Sequence, residues 1–236
     1  MSLFAERLQR VEERIAHACR QAGRLRKEVR LMGVSKMHPA EALAEAASSG
    51  LTLFGENRVQ EFEAKNLRLS ELGVTSAEVH LIGHLQTNKS ARAAELFHAI
   101  DTVDSLRLAQ RLNDAAGQHR KRLPVLLEIR LSAEPTKTGL NPGSADLQSL
   151  LEQLPSLSAL RMRGLMTIAP LDENPETART CFRQLRVLRD DLARQHPHLD
   201  FHELSMGMSG DFEIAIEEGS TLVRIGTALF GARSAQ

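Results

Sequence analysis

Tryptophan and tyrosine are absent from this chain, and cysteine occurs only as Cys19 and Cys181. Without tyrosine, no phenol can serve as a catalytic acid or base. Absorbance in the near ultraviolet will be slight for the same reason. Two cysteines cannot build a disulfide framework or a four-cysteine zinc site, which suits a reducing cytoplasm. Net charge is missing too. Thirty Lys and Arg balance thirty Asp and Glu over 236 residues. No overall field therefore favours nucleic acid or an anionic membrane. No apolar run approaches the roughly 20 residues of a membrane span. The opening stretch MSLFAERLQRVEERIAHACR carries charges of both signs on an amphipathic pattern. It lacks the apolar centre and small-residue cleavage site of a signal peptide.

What is present is ordinary globular composition, 42% hydrophobic and 25% charged. Short apolar runs at 29–35, 52–55, 78–83, 99–103, 125–131, 163–168, 201–205 and 221–225 read as strands. Between them lie amphipathic stretches of helical period at 39–48, 57–69, 89–97, 105–118, 144–154, 175–195 and 210–218, after an opening helix at 3–22. Strands alternating with helices imply a parallel sheet. Eight such units at this length predict a closed (β/α)₈ barrel of the TIM type, one domain over 1–236 with an extra N-terminal helix. An open doubly wound sheet is the structural alternative, but no GxGxxG follows the first strand. The longest irregular stretch, SAEPTKTGLNPG at 132–143, falls where a barrel carries an active-face loop.

The run LMGVSKMHP ends its first strand on Lys36. A strongly hydrated charge at the mouth of a buried strand is either a rim lysine reaching solvent or pairing with an acid, or an amine freed by partial burial to attack an aldehyde. Near the other end, ELSMGMSGDFEIAI passes from strand to helix through Gly207, Ser209 and Gly210, and TLVRIGTALFG ends a strand on Gly226 and Thr227. Small, donor-rich turns after the last two strands are the recurrent phosphate site of barrel enzymes. Arg224 lies inside that last apolar strand, in phase with Leu222 and Gly226. A buried guanidinium needs a partner. The choices are a carboxylate such as Glu203 or a ring nitrogen that accepts a hydrogen bond. A lysine that can form an aldimine, a phosphate cup and an arginine at a pyridine nitrogen together describe pyridoxal 5′-phosphate (PLP).

The motifs VSKMHP, FGENRVQE, HLIGHLQTNK, GLMTIAP, LSMGMSGDFEIAI and VRIGTALFG run from Val34 to Gly231. In combination they resemble the pyridoxal phosphate homeostasis protein family, whose fold is similar to the barrel domain of alanine racemase. The resemblance implies that Lys36 holds the cofactor as an internal aldimine. It implies that Ser205, Met206, Gly207, Gly226 and Thr227 hold the phosphate, that Arg224 faces the pyridine nitrogen, and that Asn57 lies beside the ring. His84 and Lys89 also match, and rim packing or a helix start is the reading we give them. His80 and His84 lie across a strand and its end, not on one helical face, so no zinc site is expected. Lys137, in the long loop, reads as solvated charge, with a phosphate contact as the alternative.

Racemases of this fold draw a second base, a tyrosine, from an additional β-domain, and this chain has no tyrosine. Arg224 adds a second argument, because a guanidinium cannot give its proton to the ring and the electron sink is weakened. The expectation is therefore a cytoplasmic, monomeric PLP-binding protein without catalytic turnover; the resemblance implies that it acts in vitamin B6 homeostasis and hands the cofactor to apo-enzymes. A one-base PLP-dependent racemase or decarboxylase is the alternative. A barrel enzyme for phosphorylated sugars, with no pyridoxal, is a third reading.

Overall fold

The computed structural model describes residues 2–132 and 138–231. Its apolar runs form β1 (Arg30–Val34), β2 (Leu53–Glu56), β3 (Glu78–Leu81), β4 (Ala99–Val103), β5 (Leu123–Glu128), β6 (Leu160–Met166), β7 (Glu203–Ser205) and β8 (Leu222–Ile225). Neighbouring strands pair in parallel in chain order, and β1 pairs with β8 to close the barrel. That seam runs from Arg30 beside Leu222 to Gly33 beside Ile225. The predicted closed (β/α)₈ architecture is the one observed.

The helices are α1 (Leu3–Gln21), α2 (Ala40–Ser48), α3 (Val59–Glu71), α4 (Ser90–Leu96), α5 (Leu106–Gln118), α6 (Ala145–Gln153), α7 (Pro175–Gln195), α8 (Phe212–Glu217) and α9 (Thr227–Phe230). Side-chain oxygens start several of them. Ser105 accepts from the Leu108 N–H, Ser144 from that of Leu147 and Asn174 from that of Glu176, so donors left over at each helix start are met. Apolar faces of these helices and the outward faces of the strands form one continuous layer of core. Inside the barrel a separate apolar layer consists of Met32, Leu53 and Leu222, with Ile82 against it.

Several element ends differ from the sequence reading by a few residues, and three differences have a physical reason. β5 starts at Leu123 and takes in Pro124, which can sit there because it is only the second residue of the strand. β6 starts at Leu160, ahead of the expected 163, and tolerates two arginines. Arg161 is exposed, and Arg163 finds Glu203 at 3.1 Å. Gly164 follows at φ +155, where a Cβ would lie 1.8 Å from the Glu203 carbonyl oxygen. Only glycine permits that approach, beside the register shift between β5 and β6. The short helix α9 was read as a turn, since its four residues are too few to show a period.

Candidate functional site

The C-terminal ends of the strands carry the residues singled out above. β1 ends at Val34, and Lys36 follows in a tight turn, partly buried. β8 is its neighbour across the seam, with Arg224 beside Met32. Gly226 packs next to Val34, and an added Cβ would make ordinary contact with the Val34 carbonyl oxygen at 3.4 Å. Lys36 and the Gly226–Thr227 turn therefore share one sector of the rim, although they stand at opposite ends of the chain. Thr227 is exposed there. It opens α9, whose first N–H groups have no acceptor within the helix.

β7 supplies the adjoining sector. Gly207 is buried at φ +97, and an added Cβ would come within 2.6 Å of the Ala215 Cβ. A side chain is excluded twice over, by backbone conformation and by the start of α8. The Gly207 carbonyl accepts from the Arg224 N–H at 3.0 Å, tying the two turns together. Ser205 and Met206 sit lower. The Met206 side chain is fully buried in the outer core, and its N–H donates to the Leu222 carbonyl at 3.1 Å. The Ser205 hydroxyl accepts from Arg224 Nη1 at 2.6 Å.

Arg224 is the centre of the arrangement. It is 4% exposed and has no ion pair among the described residues. Its two side-chain partners are uncharged: Ser205 Oγ, and the Thr167 carbonyl oxygen at 2.9 Å from Nη2. Glu203, the carboxylate offered by the sequence, pairs with Arg163 instead, one layer deeper in the barrel. Two residues down a strand is the next inward-facing position, so Glu203 and Ser205 share the interior face and Arg224 meets the upper one. Burial pulls the guanidinium below its ordinary value, and the fields of Asp101, Asp211 and Glu128 oppose that pull. A charge so held keeps a strong donor in the interior without a local counter-ion.

Across the mouth, at the end of β5, Glu128 is buried and receives the Thr138 hydroxyl at 2.9 Å on Oε1. Its Oε2 has no hydrogen-bond partner among the described residues. Burial raises its pKa, the Thr138 bond opposes the rise, and Asp104 adds to it. His84 pairs with Asp104 at 3.3 Å and is half exposed. His84 borders two adjoining cavities. One, of about 300 Å³, is lined by Glu128, Ser132, Thr138 and Ile168. The other, of about 290 Å³, is lined by Asn57, Gln86 and Lys89. Asn57 is fixed at the rim through its neighbour strand, because Gly83 leaves the room its backbone needs; a Cβ there would lie 2.3 Å from the Asn57 carbonyl oxygen. Lys89 sits at the start of α4, as read from sequence. Lys137 lies outside the described residues. No group of three or more His, Cys, Asp or Glu among the described residues is placed to hold a metal.

Sequence reasoning passed over Ser35, Glu56, Glu61 and Lys65. These four gather beneath the Lys36 turn. Lys65 Nζ donates to the Ser35 carbonyl at 2.9 Å and to Glu56 Oε1 at 2.8 Å, and lies 2.8 Å from Glu61 Oε1. The signal was available in FGENRVQE. It has Glu56 at the end of an apolar strand and ends on Glu61, an acid four residues before Lys65 in the EFEAK that continues it.

Chemically, the rim offers an amine, glycine turns able to approach an anion, and a buried donor aimed from β8 with no carboxylate beside it. A family model described as the N-terminal domain of alanine racemase matches residues 8–234. The pyridoxal phosphate homeostasis protein of Aquifex aeolicus (strain VF5) is 45% identical over 228 residues, covering 97% of each chain. That of Escherichia coli (strain K12) is 44% identical over 233 residues, covering 99% of this chain and 98% of that one. Among solved structures, PipY of Synechococcus elongatus PCC7942 with PLP bound superposes with a TM-score of 0.85 at 41% identity, covering 97% of this chain and 100% of that one. Likeness of this extent, over nearly the whole length of both partners, makes the chain a member of the pyridoxal phosphate homeostasis protein family.

Proposed function

We propose that this chain is a PLP-binding protein of vitamin B6 homeostasis, holding the cofactor covalently on Lys36 and turning over no substrate of its own. The observation that carries the reading is Arg224, a buried cation whose nearest side-chain partners are a hydroxyl and a carbonyl. An uncompensated interior charge is costly unless a ligand completes its shell. A pyridine nitrogen does so as an acceptor. When bound, PLP supplies an aldehyde that joins an amine reversibly.

The chain's own residues then divide the work. Lys36 provides the amine at the end of β1. Gly207, Gly226 and Thr227 stand at the rim for the phosphate. Ser205 and Met206 act from below: Ser205 fixes the Arg224 guanidinium, and Met206 anchors the turn that presents Gly207. Asn57, at the end of β2, lies beside the ring. A guanidinium such as Arg224 would give the ring nitrogen a hydrogen bond and no charge. That arrangement favours retention over carbanion chemistry, and the absence of tyrosine removes the phenolic base.

Within this reading the chain is one barrel domain, a monomer, and resident in the cytoplasm, where apo-enzymes that need PLP are its recipients. Both cysteines are buried thiols, in keeping with a reducing compartment. No helix among the described residues is long and apolar enough to cross a membrane.

The test is optical and then chemical. Purified protein mixed with PLP should develop a visible band. Borohydride reduction and peptide mapping should place the adduct on Lys36 alone among the six lysines. A colourless mixture would refute the assignment. Glu128 and His84, titratable groups across the mouth from Lys36, give the racemase or decarboxylase alternative its one foothold. Incubation of the loaded protein with L-amino acids in deuterated water discriminates. Cα exchange at enzyme-like rates that disappears in Glu128→Gln would establish turnover, and none is expected.

A further inference from the structure

The turn that carries Lys36 is clamped from beneath. Ser35 and Glu56 are fully buried, and the Ser35 hydroxyl donates to Glu56 Oε1 at 2.7 Å. Lys65, on the second turn of α3, is 8% exposed. Its ammonium has three protons and three acceptors: the Ser35 carbonyl at 2.9 Å, Glu56 Oε1 at 2.8 Å and Glu61 Oε1 at 2.8 Å. Glu61 also accepts the N–H of Met37. The peptide group before Lys36 and the one after it are therefore both tied to α3.

Such a clamp is needed because the turn is strained. Met37 has φ +63, and only it and Arg120 adopt positive φ among the described non-glycine residues. A methionine stays in the left-handed region only where its surroundings over-determine it. The Glu61–Met37 bond does so here. Met37 is itself 67% exposed, so side-chain packing does not hold it.

We propose that Lys65 is a positioning residue for Lys36: bridging Glu56 and Glu61, it locks the left-handed turn that presents the Lys36 amine at the barrel mouth. The proposal rests on the assignment of Lys36 as the PLP-bearing amine.

The experiment compares the wild type with Lys65→Met, Glu61→Ala and the double variant Lys65→Met/Met37→Gly, all as full chains. Two readouts are taken: the rate at which the visible PLP band forms, and amide hydrogen exchange of residues 35–38 without PLP. Lys65→Met should slow band formation by about tenfold or more, as expected when a reacting group is loosely held. Exchange of that segment should quicken by a similar factor. Adding Met37→Gly should recover part of the rate, because glycine occupies the left-handed region without strain. A merely structural role for Lys65 predicts no such rescue. Should Lys65→Met fail to fold, Glu61→Ala carries the same test, since it removes the acceptor of the Met37 N–H from a partly exposed position. Band formation and exchange within twofold of wild type in the folded variants would overturn the clamp while leaving Lys36 assigned. If wild type forms no adduct at Lys36, the functional reading fails instead, and the exchange arm still decides whether Lys65 holds the turn.

Discussion

The two ends of the barrel interior treat charge in opposite ways. Toward the N-terminal end, charged side chains pair with one another, although Arg163 Nε stays buried without a hydrogen-bond partner among the described residues. Arg30 meets Glu78 at 2.7 Å, His80 meets Glu78 at 2.8 Å and Asp101 at 3.1 Å, and Arg163 meets Glu203 at 3.1 Å. The space left among them is about 20 Å³, too little for anything beyond a water molecule. At the C-terminal end, Arg224 has only neutral partners and Glu128 keeps one oxygen unpartnered, beside a cavity of about 300 Å³. Both ends are built from inward-facing residues of the same short strands. The difference teaches that burial of charge alone does not mark a site. Cations paired with carboxylates fill a floor, and a cation with only neutral partners leaves its charge to be met by a ligand.

Substitutions should separate the two ends, and Lys36→Ala gives the largest effect. It should abolish the visible band with PLP, with denaturation little changed; a band of normal intensity at another lysine would undo the assignment. Asp101→Ala should act the other way round. Removing one member of the buried floor should cost about 3–5 kcal/mol of stability by chemical denaturation, while the folded fraction still forms the adduct. Arg224→Met sharpens the contrast. PLP retention should fall about tenfold, with stability unchanged or higher, because a charge without a counter-ion has been replaced by apolar volume. A loss of stability as large as that of Asp101→Ala would mean that Arg224 belongs with the floor.

Acidity reaches the floor next. Burial pulls the His80 pKa down, but Asp101 and Glu78 outweigh it and raise the value from 6.5 to about 9. A raised folded value means that stability from His80 is complete below pH 6.5 and is lost as pH climbs through about 9. Glu78 runs opposite. The His80 hydrogen bond lowers it from 4.5 to about 2, so its contribution holds above 4.5 and fades only as pH drops toward 2. Denaturant midpoints should therefore decline between pH 6.5 and 9 in the wild type and stay flat in His80→Gln. Thr227→Val is the mildest change, weakening retention about threefold through one lost hydroxyl at the rim. Retention equal to wild type would take Thr227 out of the phosphate set.

Much of the mouth was legible in sequence because it is local. Lys36 ends an apolar run, and Gly226–Thr227 closes another, so chain order and strand count suffice to place both on one face. The helix α7 showed its full extent, since Pro175 and a long amphipathic period mark it. What escaped is long-range. Arg224 could be seen to need a partner, yet only the fold shows Glu203 to be taken by Arg163. The Lys65 clamp joins the turn after β1, the end of β2 and the second turn of α3, and no periodicity reports a contact of that kind. Boundaries of β5 and β6 moved where Pro124 and Arg163 sit, residues whose tolerance depends on the neighbouring strand.

The seam between the first and last strands sets a condition on biogenesis. The amine and the turns proposed to grip the cofactor's anionic tail come from opposite ends of the polypeptide and meet only when β8 docks on β1. A chain still emerging from the ribosome would have made its lysine long before it could grip a vitamer. A site assembled across that seam can therefore grip its ligand only after β8 has docked on β1.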